Sequence, residues 1–158
     1  ALSIASTGTV LGDIDVANGT TFVIGSGNGT KTIAGNLAFG ESSTWDVSSV
    51  IAGGTGITND SNLFNVTFGS GFGVANLLGV DALTPIGTYT LISSNQTFSS
   101  SGIGNWGSGA QASIGGGKFA YFQQGSLQLV VVPEPSTFAL AAIGIAGLGY
   151  VASRRRQR

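Results

Sequence analysis

The sequence predicts an all-β domain over residues 1–131 followed by one apolar transmembrane α-helix, and three observations carry that reading. Short runs rich in Val, Ile, Thr, Phe and Tyr alternate apolar and polar side chains with a period of two, the spacing that turns one face of a strand inward. Glycine is abundant, at 27 residues, and Gly, Asn and Ser gather between the runs, where turns need them. No stretch before residue 132 repeats its apolar residues every 3.6 positions, whereas Pro135 to Ser153 is nineteen residues without a charge.

In chain order, Thr20-Thr21-Phe22-Val23-Ile24 is the first clear strand. Lys31-Thr32-Ile33 and Asn36-Leu37-Ala38-Phe39 follow, the second with Leu37 and Phe39 on one face, and Trp45 and Val47 repeat that spacing. Residues 65–68 place Val66 and Phe68 inward, residues 87–92 place Tyr89 and Leu91 on one face, and residues 126–131 do the same for Leu127, Leu129 and Val131. Residues 75–83 admit one turn of helix. Residues 17–25 align with residues 27–35 at a ten-residue offset, sharing Asn-Gly-Thr and a closing glycine. That offset fits either two Asn-Gly hairpin turns or two rungs of a repeat.

The last segment, residues 132–158, divides into a box at 132–136, a span at 137–153 and a basic cluster at 154–158. At ~1.5 Å per helical residue, Pro135 to Ser153 covers about 28 Å, close to the ~30 Å hydrocarbon core of a bilayer. The strictly apolar part, Phe138 to Ala152, covers only about 22 Å, so Ser136, Thr137 and Ser153 are expected at the interfaces. Pro133 and Pro135 cannot continue a helix backwards and therefore set its start. Arg154, Arg155, Arg156 and Arg158 are expected to stay on the cytoplasmic side, leaving residues 1–131 outside.

This order, Val132-Pro133-Glu134-Pro135-Ser136, a short Gly/Ala/Leu-rich span and a terminal arginine cluster, resembles the PEP-CTERM sorting signal of Gram-negative bacteria. The resemblance implies that an exosortase, a membrane enzyme with a cysteine nucleophile, recognises Pro133, Glu134 and Pro135 and removes the tail. It further implies that Arg154, Arg155, Arg156 and Arg158 act as a stop-transfer cluster, and that the protein, held briefly in the inner membrane, is released to the cell surface or matrix. A permanent tail anchor with a rigid Pro-Glu-Pro hinge is the alternative. Residues 30–130 also look like the final part of autotransporter-type β-solenoid proteins. That second resemblance implies a parallel β-helix ending in a cap, with a β-sandwich as the alternative. Ala1-Leu2-Ser3-Ile4 is not a signal segment, so an export signal is expected upstream, in a longer protein.

Charge is scarce and uneven. Residues 1–132 hold Lys31 and Lys118 against six acids, a net −4, while the tail sets four arginines against Glu134, a net +3. A weakly acidic domain without a basic stripe is a poor match for phosphate backbones, which argues against nucleic acid as a partner. With no His and no Cys, the Ser-His-Asp and Cys-His nucleophile systems and the usual zinc sites are excluded. Only carboxylates remain for acid/base work, and a glycosidase-like site would need two of Asp13, Glu41, Asp46, Asp60 and Asp81 to converge about 5–9.5 Å apart. Asp13 and Asp15 flank Ile14 and share one strand face, where solvated side chains are the expectation. No metal or cofactor is expected.

Aromatic side chains are expected in the core, except Trp106, which sits in Gly102-Ile103-Gly104-Asn105-Trp106-Gly107-Ser108-Gly109, too glycine-rich for a core strand. Trp106 is thus the candidate for an exposed, carbohydrate-contacting ring. The functional expectation is an exported, non-enzymatic structural protein of the surface or extracellular matrix. An exopolysaccharide-binding adhesin module and a carboxylate-dependent carbohydrate-active domain are the alternatives.

Overall fold

A computed structural model describes residues 1–5, 7–59, 65–94, 102–123 and 126–134. Nine three- or four-residue strands come first: β1 Leu2–Ile4, β2 Gly8–Val10, β3 Ile14–Val16, β4 Thr21–Ile24, β5 Lys31–Ile33, β6 Leu37–Phe39, β7 Thr44–Asp46, β8 Ile57–Asn59 and β9 Val66–Phe68. Every strand from β1 to β8 pairs in parallel with the strand three places on. β1, β4, β7 and the short β10 (Leu77–Leu78) form one stack, β3, β6 and β9 a second, and β2, β5, β8 and β11 (Gly87–Ser94) a third. The chain therefore visits three walls in rotation, so the two segments related by the ten-residue offset are neighbouring sides of one coil, not hairpins. Strands this short, joined through two other strands, satisfy the long connection that parallel pairing requires.

Parallel register places like on like. Ile4 stacks beside Ile24, Ile14 beside Leu37, Phe22 beside Trp45, and Val16, Phe39 and Phe68 form a column. Most of these are buried, and Phe22, Leu37 and Trp45 have no exposed surface. Each fully buried side chain of this size stabilises the fold by about 1.5–3 kcal/mol. The aromatic column is continuous: Phe39 stacks on Trp45 at 5.0 Å and on Phe68 at 5.4 Å, and Phe72 closes against both phenylalanines at 5.2 and 5.0 Å. Among the described residues, the Trp45 Nε1 is buried without a hydrogen-bond partner.

Corners between walls are held by short polar side chains acting from one coil on the next. Before the β3–β6–β9 stack, Asp13 Oδ1 accepts from the Asn36 backbone N–H at 2.8 Å and from Asn36 Nδ2 at 3.1 Å, and Asn36 Oδ1 accepts from the Asn65 N–H at 3.3 Å. After it, Asn18 Oδ1 accepts from the Ser42 N–H, and Asn76 Nδ2 donates to the carbonyls of Glu41 and Ser43. Gly35 has no substitute at its corner, because a Cβ there would collide with the Gly12 carbonyl one coil below. The asparagines at these corners thus bond between coils.

Several local expectations are corrected. Ser48–Ile51 makes one turn of α-helix (α1), which no periodicity announced, and the turn of helix expected within residues 75–83 is a 3-10 turn that starts earlier, at Val74–Asn76, and gives way to β10. In β11 the alternation breaks at a register shift between Thr90 and Ile92, so that Leu91 and Ile92 are both buried while Tyr89 is half-buried. The shift falls where β11 gains a second partner: Gly87–Ile92 pair antiparallel with β14 (Leu127–Pro133), and from Ile92 to Ser94 the strand also pairs parallel with β8. A bulge is the usual way to bend a strand at such a junction. β14, β13 (Lys118–Gln123) and β12 (Ala112–Gly115) complete this sheet with antiparallel pairing. The expected transmembrane helix lies outside the described residues, and no helix among those is long and apolar enough to cross a membrane.

Lys31 stands at an inward position of β5, fully buried, in register between Gly8 and Ile57. Its ammonium reaches the corner carbonyls of Gly27 and Thr55, both at 3.0 Å, and Thr55 Oγ1 at 3.2 Å, stitching two adjacent loops. Burial without a carboxylate lowers its pKa from the ordinary lysine value of 10.5. The unfolded chain then binds the proton more tightly than the folded one, so stability rises with pH between the lowered value and 10.5. Burial also raises the Tyr89 pKa from its ordinary 10.0, which opposes this rise at the upper end of the range. Urea unfolding of the wild type and Lys31→Met across that range is expected to show a rise relative to the variant. Parallel pH profiles would refute the lysine's contribution.

Candidate sorting junction

The first two residues of the Pro-Glu-Pro box, Pro133 and Glu134, are tied to the sheet. β14 is buried at Leu127, Leu129, Val130 and Val131, lies between β11 and β13, and ends at Pro133, past the boundary at 131 expected from the sequence. Pro133 stands opposite Lys118, and the Glu134 N–H donates to the Gly117 carbonyl at 2.8 Å. Successive residues of an antiparallel strand aim their backbone groups to opposite sides. The Pro133 nitrogen therefore faces the other neighbour, β11, whose pairing stops at Gly87 opposite Val131. A residue without an N–H is tolerated there because no ladder bond is asked of it.

The support of the box comes from segments distant in sequence. Gly115, Gly116 and Gly117 take φ of 86°, 61° and 67° in the turn joining β12 to β13, a run of left-handed backbone that only glycine adopts without strain. Ala82 packs against that turn, at 3.3 Å from where a Cβ on Gly115 or Gly116 would stand. Lys118 Nζ donates to the carbonyls of Ala82 at 2.9 Å and Thr84 at 2.7 Å. The Asp81 carboxylate accepts from the N–H groups of Leu83 and Thr84, so that loop is itself capped. Sequence reasoning passed over this support. The signal was three consecutive glycines between two alternating runs, a hairpin pattern.

Of the other sequence candidates, Asp13 and Asp15 line one cavity of about 350 Å³ with Leu2–Ile4, Val10 and Ile14, and the rest take separate structural places. Trp106 is half-buried and packs against the core, bridging Phe122, with the Asn105 carbonyl accepting from the Phe122 N–H at 2.8 Å. Asn105 adopts φ 56° and bonds the Val74 N–H and the Ala110 carbonyl, which anchors the glycine-rich loop. Asp13 and Asp81 hold turns, Asp46 accepts from the Ser48 N–H and hydroxyl, and Asp15 and Glu41 stay exposed. Asp60, Pro135, Arg154, Arg155, Arg156 and Arg158 lie outside the described residues. Among the described residues no group of three or more His, Cys, Asp or Glu comes together. A cleft of about 420 Å³ is lined by Val50, Gly53–Thr58, Thr88–Thr90 and Ser93, rich in hydroxyls and without a carboxylate.

A β-rich domain whose last strand runs into the Pro-Glu-Pro sequence, ahead of an apolar and then basic run, has the layout of a passenger with a processing signal. Residues 131–156 match the PEP-CTERM protein-sorting motif. The chain thus carries the signal of exported proteins that are transiently anchored in the membrane and processed by an exosortase. No curated protein and no solved structure matches the chain.

Proposed function

We propose that this chain belongs to a non-enzymatic structural protein of the cell surface or extracellular matrix. In this reading residues 1–131 are the last coils and cap of a β-solenoid, and residues 132–158 hold them at the inner membrane, C-terminus inside, until an exosortase removes the tail. The observation that carries it is the sorting motif joined without a linker to the last strand of the domain. The rotation of short parallel strands through three walls supports the solenoid, and the antiparallel β11–β14–β13–β12 sheet supports a cap that blocks further stacking at that end. The turn-holding work of Asp13, Asp46 and Asp81 favours a structural role over carboxylate catalysis. An adhesin that binds exopolysaccharide is the second reading, and the hydroxyl-lined cleft beside Tyr89 favours it.

Intact mass and cell fractionation of the protein in its native host test the main reading. The expected result is a released form lacking the mass of the tail. A protein found only at full mass in the membrane would make the tail a permanent anchor and overturn the sorting role.

A further inference from the structure

Large exposed aliphatic side chains are few among the described residues, and two of them sit where the polypeptide leaves the fold. Leu83 is 86% exposed and Ile86 56%, with exposed Ala82 and Pro85 beside them. Their place is fixed by the contacts around Lys118 and by the register of β11. Leu83 lies between Ala82 and Thr84, whose carbonyls bind Lys118, the register partner of Pro133. Ile86 precedes Gly87, the register partner of Val131. Both residues therefore flank the box.

Chain length then restricts what can lie opposite them. Four residue steps separate Glu134 from Phe138, the first residue of the apolar run, and even fully extended they span no more than about 14 Å. The headgroup layer fills about 5–8 Å of that on each side of a bilayer. Of the charges at this end, Lys118 bonds two carbonyls and Asp81 its own turn, while Glu134 lies in the box itself. We infer that the Ala82–Ile86 loop is a membrane-contact surface: while the tail is in place, Leu83 and Ile86 rest in the interfacial layer of the bilayer and hold the β-domain upright over the box. The occupant is lipid, engaged through apolar burial, so the contact is insensitive to salt and to anionic headgroups. The inference rests on the membrane-anchor reading of the tail.

The chain has no cysteine, so a single Leu83→Cys substitution can carry an environment-sensitive dye, and Leu11→Cys on the first coil, at a residue 84% exposed, is the matched control. The full chain is reconstituted into phosphatidylcholine vesicles and floated on a density gradient. The dye at position 83 is expected to shift to the blue and to be quenched by lipids spin-labelled near the headgroup, with position 11 unchanged. Flotation with both dyes in water-like surroundings would overturn the membrane contact and leave the anchor standing. Failure to float would overturn both. A dye at position 83 that becomes dry only in membranes containing the processing enzyme would assign the surface to that enzyme and refute the lipid contact.

Discussion

Replacing Pro133, Glu134 and Pro135 together by alanine is expected to keep the chain in the membrane fraction at full mass, with no released form. The geometry predicts that the change spares the fold. Burial in β14 ends at Val131, and the next residues are tied to the sheet through backbone groups, the Pro133–Lys118 register and the Glu134 N–H on Gly117, which alanines reproduce. The substitution removes the locked φ of two prolines and the carboxylate between them. Alanine is also the best helix former, so the substitution lifts the block that two prolines set on helical backbone. Glu134→Gln separates the contributions, since it keeps the geometry and deletes the charge. Far-UV circular dichroism matching the wild type, with release abolished, is the expected pair of results. Release of the triple variant at the native rate would rule out recognition through the box.

Trp45→Ala is expected to be the most damaging single truncation in the core, at about 3–5 kcal/mol. A small domain has about 5–15 kcal/mol of stability in all, so this change takes a large share. Trp45 has no exposed surface, stacks on Phe39 and lies in register between Phe22 and Leu77, so the cavity would open between successive coils where neither strand can close in without losing its ladder. Trp45→Phe should cost far less. It keeps an aromatic ring in the column and removes an indole N–H that is buried without a partner, whose desolvation the wild type carries uncompensated. Urea unfolding followed by far-UV circular dichroism measures both. Equal losses for the two variants would refute ring stacking as the source of stability at this site.

The strands were legible because their signal is local. Alternation at Leu37 and Phe39, or at Leu127, Leu129 and Val131, needs only the knowledge that side chains leave a strand on opposite faces. It failed at β11, where a bulge let Leu91 and Ile92 both turn inward as the strand took a second partner. The repeat was visible at a misleading period. Corresponding positions lie 23 residues apart from Thr21 to Thr44, but 32 from Trp45 to Leu77, because α1 and the longer loops are inserted into later coils. A growing coil length leaves no constant offset to find. Lys31 shows in the sequence only as a charge at the start of a strand. Its burial is hidden there, since nothing in Lys-Thr-Ile says that Gly8 stands opposite and four oxygen atoms wait at the corner.

By itself the sequence determined the β content, the exclusion of histidine and cysteine chemistry, and the sorting tail, whose box, apolar run and arginines follow one another directly along the chain. Only the tertiary structure decided how the strands stack, which polar side chains bond from coil to coil, and that the box is held by Gly117 and Lys118 beside Leu83. The physical reason is separation along the chain. A tail signal is read as linear spacing, while the support of the box depends on Lys118 bonding carbonyls 34 and 36 positions away, and backbone carbonyls have no sequence signature.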